Sequence, residues 1–279
     1  MVKDEADVIE HSLRWLLTQV DHVFVLDNGS TDGTRDILGS FDRVTVQADD
    51  MVAYYQARKM TELARYAYWA GRNDPDEHDL YEWVVPVDAD EFWRCADPAV
   101  RLGDHLDGLG HDFHFAAADL YDHKATFLDD PRIKNPALRM CWRFREPAKL
   151  PKVAVRLSDQ VEIGMGNHDA ATAPYGPPFR ISSTGSPPTE RGMLVVEHYP
   201  WRTPEQFVSK IRNGARAYAA TDLPDEYGQH WRAFGDPDSP LFEEVVRGWF
   251  DRWAYTSIPN TDEEILWSPW MPEVIVRPD

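Results

Sequence analysis

The sequence predicts an α/β fold: a mostly parallel sheet flanked by helices, with a helical C-terminal extension. Three observations lead there. The first fifty residues alternate between helix-like and strand-like patterns. Residues 83–87 form an apolar run (Trp83, Val84, Val85, Val87), as in a strand buried on both faces. The chain has 279 residues with 11 Trp, 11 Tyr and 12 Phe, enough apolar mass for a full core.

The elements follow in order. Residues 7–19 form the first helix, with Val8, Ile9, Leu13, Leu16 and Leu17 at helical spacing. Residues 22–26 (HVFVL) are a short strand, 27–34 a polar turn with two glycines, 35–40 a short helix and 44–47 a further strand. This β-α-β alternation implies parallel pairing with right-handed crossovers. A helix is predicted over 52–68, a polar loop over 73–79, a helix over 97–109 and a strand over 113–120. Residues 161–163 and 193–197 read as extended. A Pro/Gly-rich stretch, 175–188, has the composition of a lid. The helix at 203–220 is capped by Thr203 with Pro204 at its first position. Residues 242–253 form an amphipathic helix, and the apolar tail (Trp267, Trp270, Met271, Val274, Ile275, Val276) is expected to pack.

Composition narrows the function classes. Lys plus Arg is 29 against 48 Asp plus Glu, a formal net charge of −19. Sequence-independent binding to nucleic acid depends on Lys and Arg neutralising phosphates, so it is disfavoured. Two cysteines, Cys95 and Cys141, are too few for a disulfide framework or a thiolate zinc site. No segment has the roughly 18 apolar residues of a membrane span, and charge begins at Lys3 where a signal peptide would need an apolar core. The expected setting is a reducing cytoplasm.

Two stretches carry chemistry. The apolar run ends in Asp88-Ala89-Asp90-Glu91, three carboxylates within four residues. Such groups repel and lose hydration unless a cation sits among them. Mg²⁺ and Mn²⁺ prefer oxygen ligands, so a divalent ion shared with a phosphate-bearing ligand fits, at the strand ends where open α/β sheets bind ligands. The plain alternative is a strand followed by an acidic turn. The second stretch is 27–34 (DNGSTDGT). Its Asp and Asn acceptors suit the imide N–H of a pyrimidine or ribose hydroxyls, and Gly29 and Gly33 let backbone approach a ligand. Taken alone it reads equally as a strand-to-helix loop capped by Asp32 or Thr34.

Together, KDEADVIEHSLRWLLTQVDHVFVLDNGSTDGT and, roughly fifty residues on, WVVPVDADEFW resemble the glycosyltransferase family 2 pattern. The nearest likeness is to the bacterial family 2-like group, with D-N-G-S-T-D-G-T, D-A-D-E-F, G-N-H, H-Y-P and K-x-x-N-G. The later motifs stand here as Gly166-Asn167-His168, His198-Tyr199-Pro200 and Lys210-Ile211-Arg212-Asn213-Gly214. Several ordered motifs are more specific than any one of them.

The resemblance implies a GT-A fold, the Rossmann-like α/β sandwich of nucleotide-diphospho-sugar transferases. It implies a catalytic domain over residues 1–222 (nucleotide part about 1–95, acceptor part about 96–222) with the extension at 223–279. Carried over, Asp27 and Asn28 contact the base together with Lys3, Asp4 and Glu5. Asp88 lies near ribose and metal, and Asp90 binds Mn²⁺ or Mg²⁺ bridging the donor diphosphate. Arg58 stands where related enzymes turn a basic residue to the nucleotide. A late histidine, His168 or His198, completes the metal shell, with an imidazole that suits Mn²⁺. The family is generally inverting, so a carboxylate deprotonates the acceptor hydroxyl. Asp119 and Asp122, at or past a strand end, are candidates for that base, and Glu91 is a further member of the acidic cluster. The donor implied is a nucleotide-sugar, UDP-sugar foremost, and the acceptor a glycan, a protein or a modified nucleic-acid base. The family's fold begins with a strand before Lys3. Here only Met1 and Val2 stand there, so that strand is cut by a late start, shortened or supplied by another segment.

Between the motifs, Lys59 reads as solvated helix charge, and Lys210 and Asn213 as side chains that reach the site. Arg132, Lys134, Arg139, Arg143, Arg145, Lys149, Lys152 and Arg156 make the one basic region, fit to hold a diphosphate, an anionic acceptor or a nucleic-acid strand, with a strand pair of charged outer faces as the plain alternative. Two other functions remain: a nucleotidyltransferase that makes a nucleotide-sugar, although no Gly- and Lys/Arg-rich phosphate loop is found, and a non-catalytic sugar- or nucleotide-binding module.

Overall fold

A computed structural model of the chain describes residues 1–73, 81–173, 188–224, 228–255 and 265–271. The first half contains α1 (Ile9–Gln19), β1 (Val23–Asp27), α2 (Thr34–Leu38), β2 (Val44–Ala48), α3 (Gln56–Asn73), β3 (Trp83–Val84), β4 (Glu91–Cys95), α4 (Leu102–Asp107) and β5 (Phe115–Asp122). The second contains α5 (Pro136–Arg139), β6 (Trp142–Phe144), β7 (Lys152–Arg156), β8 (Glu162–Ile163), β9 (Ala170–Ala171), β10 (Thr189–His198), α6 (Pro204–Ala219), α7 (Gln229–Arg232), α8 (Phe242–Tyr255) and β11 (Ile265–Trp267).

The main sheet overturns the predicted parallel, GT-A-type architecture. It is an open five-stranded half-barrel of order β3-β7-β5-β10-β4. β3–β7, β7–β5 and β10–β4 pair antiparallel, and β5–β10 alone is parallel. The first β-α-β unit does form the expected parallel pair, β1–β2, but it stays a separate two-stranded sheet. Ahead of α1, Val2 bridges in parallel to Asp27 through Val2 N to Leu26 O and Asn28 N to Val2 O, each 2.9 Å.

The apolar run 83–87 is not one long strand. Sheet pairing ends at Val84, and the chain turns through Asp88-Ala89-Asp90 and returns as β4. Trp83, Val84, Val85 and Val87 are also only partly buried, and burial on both faces belongs instead to β5, β7 and β10. Phe115, Val153 and Val155 enter one core, while Ala116, Ala118, Ala154, Leu194 and Val196 enter another with Trp93. Alternate residues therefore feed opposite faces, and a doubly covered sheet needs apolar strands whichever way its neighbours run.

Helix starts differ from the pattern reading at two places. α3 starts at Gln56 rather than 52, and α4 covers 102–107 of the predicted 97–109. At α6 the Thr203 hydroxyl accepts from Gln206 N at 3.2 Å, as predicted for its cap. The region after 223 shares a core with the N-terminal helix: Phe242, Val246, Phe250 and Ala254 pack in one cluster with Leu13, Phe92 and Phe207. Met271 is buried and Trp270 Nε1 donates to Tyr199 Oη at 2.7 Å, whereas Trp267 is exposed. The predicted loop 73–79 (Asn73 apart), the predicted lid (Pro188 apart) and Val274 to Val276 lie outside the described residues. Among the described residues no helix is long and apolar enough to cross a membrane.

Candidate active site

The turn after β3 is built around one buried lysine. Lys152, on β7, places Nζ 2.5 Å from Glu91 Oε1, 3.1 Å from Asp88 Oδ2 and 2.7 Å from the Gly166 carbonyl. Gln56 Nε2 and Asn167 Nδ2 each reach Asp88 Oδ1 at 3.2 Å. Glu91 is fully buried, and its Oε2 accepts the Asp88 amide at 3.3 Å. Burial opposes ionisation of Asp88, yet Lys152 outweighs it and holds the carboxyl below its ordinary value. At Glu91 burial wins and the carboxyl is pushed up. Glu91 braces the turn behind Asp88, and it is absent from the cleft lining.

Asp90 meets a different set of cations, His198 from β10, Lys210 from α6 and Arg202 from the segment between them. Lys210 Nζ binds its Oδ2, and Arg202 Nη1 and His198 Nε2 each lie 3.6 Å from the same oxygen. Burial opposes charge, but Lys210 and then His198 hold the Asp90 carboxyl well below the usual carboxylate range. His198 Nδ1 donates to Asp122 Oδ1 at 2.6 Å, across the β5–β10 register that sets these residues opposite each other. Burial disfavours the imidazolium, but the Asp90 charge and the Asp122 hydrogen bond outweigh it and lift its pKa to about 10. A raised folded-state value gives stability that is complete below the unfolded pKa of about 6.5 and is lost as pH rises towards 10. His198 is expected to stay protonated through pH 8 in an NMR titration of its ring protons. Titration near 6.5 would contradict this arrangement.

The first loop closes the site from the N-terminal side. Arg202 is wholly buried; it donates to Glu5 Oε2 at 2.6 Å, to both Asp7 oxygens at 2.7 Å and to the Tyr199 carbonyl at 3.0 Å. Asp4, in the left-handed region at φ 53°, accepts from Thr31 N (2.7 Å) and Asn213 Nδ2 (2.8 Å). Lys3 Nζ holds the carbonyls of Asn28 and Gly29 at 3.2 and 2.6 Å. Asn28 Nδ2 is taken by Asp49 and the Met51 carbonyl, and Asp49 pairs with Lys59 at 2.6 Å. Asp27 is fully buried, ion-paired with Arg35 at 2.7 Å and bonded to Ser30 N. Asp27 and Asp4 therefore shape the loop from behind, while Lys3, Glu5 and Asn28 line the cleft.

These groups surround a cleft of about 730 Å³, a volume typical of ligand sites. Asp88, Asp90, Asp122, Lys152, His168, His198, Lys210 and Asn213 line it. His168 stands on its Asp88 side with Nδ1 2.9 Å from the Pro151 carbonyl, and His198 on its Asp90 side, so the two candidate histidines are separated. Besides Asp4, Asp27 and Glu91, which stand behind the cleft, two predicted residues lie away from it altogether. Asp119 is exposed on β5, and Arg58 pairs with Glu62 at 3.0 Å in solvent. Gln56 takes the position expected of Arg58, and Lys59 is buried rather than solvated. Of the basic region only Lys152 reaches the carboxylates; Arg156 pairs with Glu82, Arg132 with Asp130 and Arg143 with Glu197. A separate cavity of about 150 Å³ between β1 and residues 83–87 is lined almost wholly by apolar side chains and lacks converging polar groups.

The implied metal is tested by this donor set. Among the described residues no three Asp, Glu, His or Cys side chains converge to hold an ion. The Asp88 and Asp90 oxygens suit a hard divalent cation chemically. They are held by Lys152 and Lys210, which an ion would displace. Arg202 and Asp49 are the members that sequence reasoning missed. An arginine just before the Thr203 cap, inside an otherwise apolar stretch, was the available signal for the first.

No protein-family model matches the chain, and no curated protein matches it either. The chemistry of the site is therefore argued from its residues.

Proposed function

We propose that the cleft transfers a glycosyl group from a nucleoside-diphosphate sugar, UDP-sugar foremost, to an acceptor hydroxyl with inversion. The observation that carries this is the convergence of three motif regions on one cleft: the 27–31 loop through Asn28 and Lys3, the Asp88–Asp90 turn, and His198 with Asp122. Since unrelated activities share folds, the reading rests on this site and not on sheet topology.

In this reading the nucleoside lies towards Lys3, Asn28 and Tyr54, and the diphosphate beside Lys210 and Lys152. Those ammonium groups meet the negative charge that grows on the leaving diphosphate. Mn²⁺ or Mg²⁺ held by Asp88 and Asp90 would add Lewis-acid neutralisation of that same charge. Asp122 takes the acceptor hydroxyl proton, and the acceptor oxygen forms its bond to the anomeric carbon as the bond from that carbon to phosphate oxygen breaks. His198 fixes the orientation of Asp122 through Nδ1.

A thermal-shift screen tests the proposal. UDP with Mn²⁺ is expected to raise the melting temperature, since a ligand at a hundred times its Kd adds about 2.7 kcal/mol. No response to any nucleoside diphosphate or nucleotide-sugar would sink it.

A further inference from the structure

The half of the cleft beyond His198 has a chemistry unlike the charged centre. Its wall consists of Phe144 from β6, Trp201 after the end of β10 and Trp253 from α8. These stand beside the Asp122–His198 pair through contacts of the backbone and rings. His123, next to Asp122, bridges to Arg143, the neighbour of Phe144. Trp201, three residues past His198, meets Trp253 edge-on with centroids 4.8 Å apart. The wall is held from behind: Trp201 also packs edge-on against Phe207 (5.3 Å) and Trp249 (5.1 Å). All three wall residues line the cleft and keep part of their surface exposed, with Trp253 stacked near-parallel to Trp249 at 6.3 Å and the Lys124 ammonium 5.4 Å from its ring centroid.

Aromatic faces carry negative π density and attract polarised C–H groups. A pyranose ring offers such C–H groups on one face and hydroxyls at its rim. A serine or threonine peptide offers a hydroxyl without that face. A nucleic-acid acceptor brings phosphates towards Asp122 and Asp90 in a chain of net charge −19, which repels polyanions. We infer that this arm binds a neutral pyranose ring of an acceptor glycan in the corner between the nearly perpendicular Trp253 and Trp201 rings, packed on Trp253 with its reacting hydroxyl at Asp122. The inference rests on the glycosyl-transfer reading and names its acceptor class.

Saturation-transfer NMR tests it on the full chain with UDP and diamagnetic Mg²⁺ present. The probes are methyl pyranosides of glucose, galactose, mannose and N-acetylglucosamine. At least one is expected to receive saturation, strongest at the C–H protons of one ring face. Trp253→Ala should cut that signal at least fivefold and Trp253→Phe should restore at least half of it, which separates lost stacking from lost folding. The inference is overturned if no pyranoside receives saturation, if a Ser/Thr peptide or dinucleotide does so in their place, or if W253A leaves the signal unchanged. The UDP-dependent melting shift separates the two levels. A pyranoside signal that depends on Trp253 without any UDP response supports the sugar arm and sinks the transferase reading.

Discussion

Asp90→Asn is expected to abolish turnover and the melting response to UDP with Mn²⁺. The substitution keeps shape and removes one charge at the point where Lys210, Arg202 and His198 meet. Loss of one preorganised electrostatic partner of a reaction commonly costs on the order of 100- to 1,000-fold in kcat. A second consequence is independent of catalysis. Arg202 is wholly buried and Lys210 mostly so, and breaking a buried pair by removing one partner costs about 3–5 kcal/mol. His198 loses the largest influence that raises its pKa, so its value should fall from about 10. A variant that folds with wild-type stability, leaves His198 charged at pH 9 and still turns over donor would refute the central position given to Asp90.

The acidic turn was legible because its evidence is local, carboxylates packed after an apolar run, whereas His168 and His198 came from the motif resemblance alone, which did not separate them. The sheet was not legible, because strand direction is set by distant partners. β4 pairs antiparallel with β10, about a hundred residues away, and nothing in residues 91–95 encodes that. Other misses are one step of geometry. Asp119 and Asp122 are three residues apart on a strand, and side chains alternate faces with a period of two. They therefore point to opposite faces, and only Asp122 enters the cleft. Arg58 is two residues from Gln56, which is about 200° around a helix. Gln56 faces Asp88, so Arg58 faces solvent. Lys59, three residues from Gln56, returns to the inner face and meets Asp49, where solvation was the expectation. A charged residue on an amphipathic helix cannot be assigned to water until the opposing loop is known.

Arg202→Met is expected to be the most destabilising single change at the site, although the side chain has no surface in the cleft. The guanidinium joins Glu5 and Asp7 from the first loop to Asp90 and the Tyr199 carbonyl. Burial disfavours its charge, but Glu5 and then Asp7 raise its pKa further, so it is a fixed cation. Removing it leaves Glu5 and Asp90 facing each other with Lys210 as their shared counter-ion. An unpaired buried charge costs about 3–5 kcal/mol, and for a chain of this size that lowers the melting temperature by roughly 10 °C. Arg202→Lys should recover little, because one ammonium cannot reproduce a planar fork that engages two carboxylates and a carbonyl. The comparison is decisive when read by melting at pH 7 and again near pH 4. Burial pushes the Glu5 carboxyl up, so it protonates early as pH falls and relieves the repulsion left by the missing guanidinium. The gap between R202M and wild type should therefore narrow with acid. A gap that is small at neutral pH, or that widens as pH falls, would show that the first loop and the acidic turn are held together by packing rather than by this one arginine.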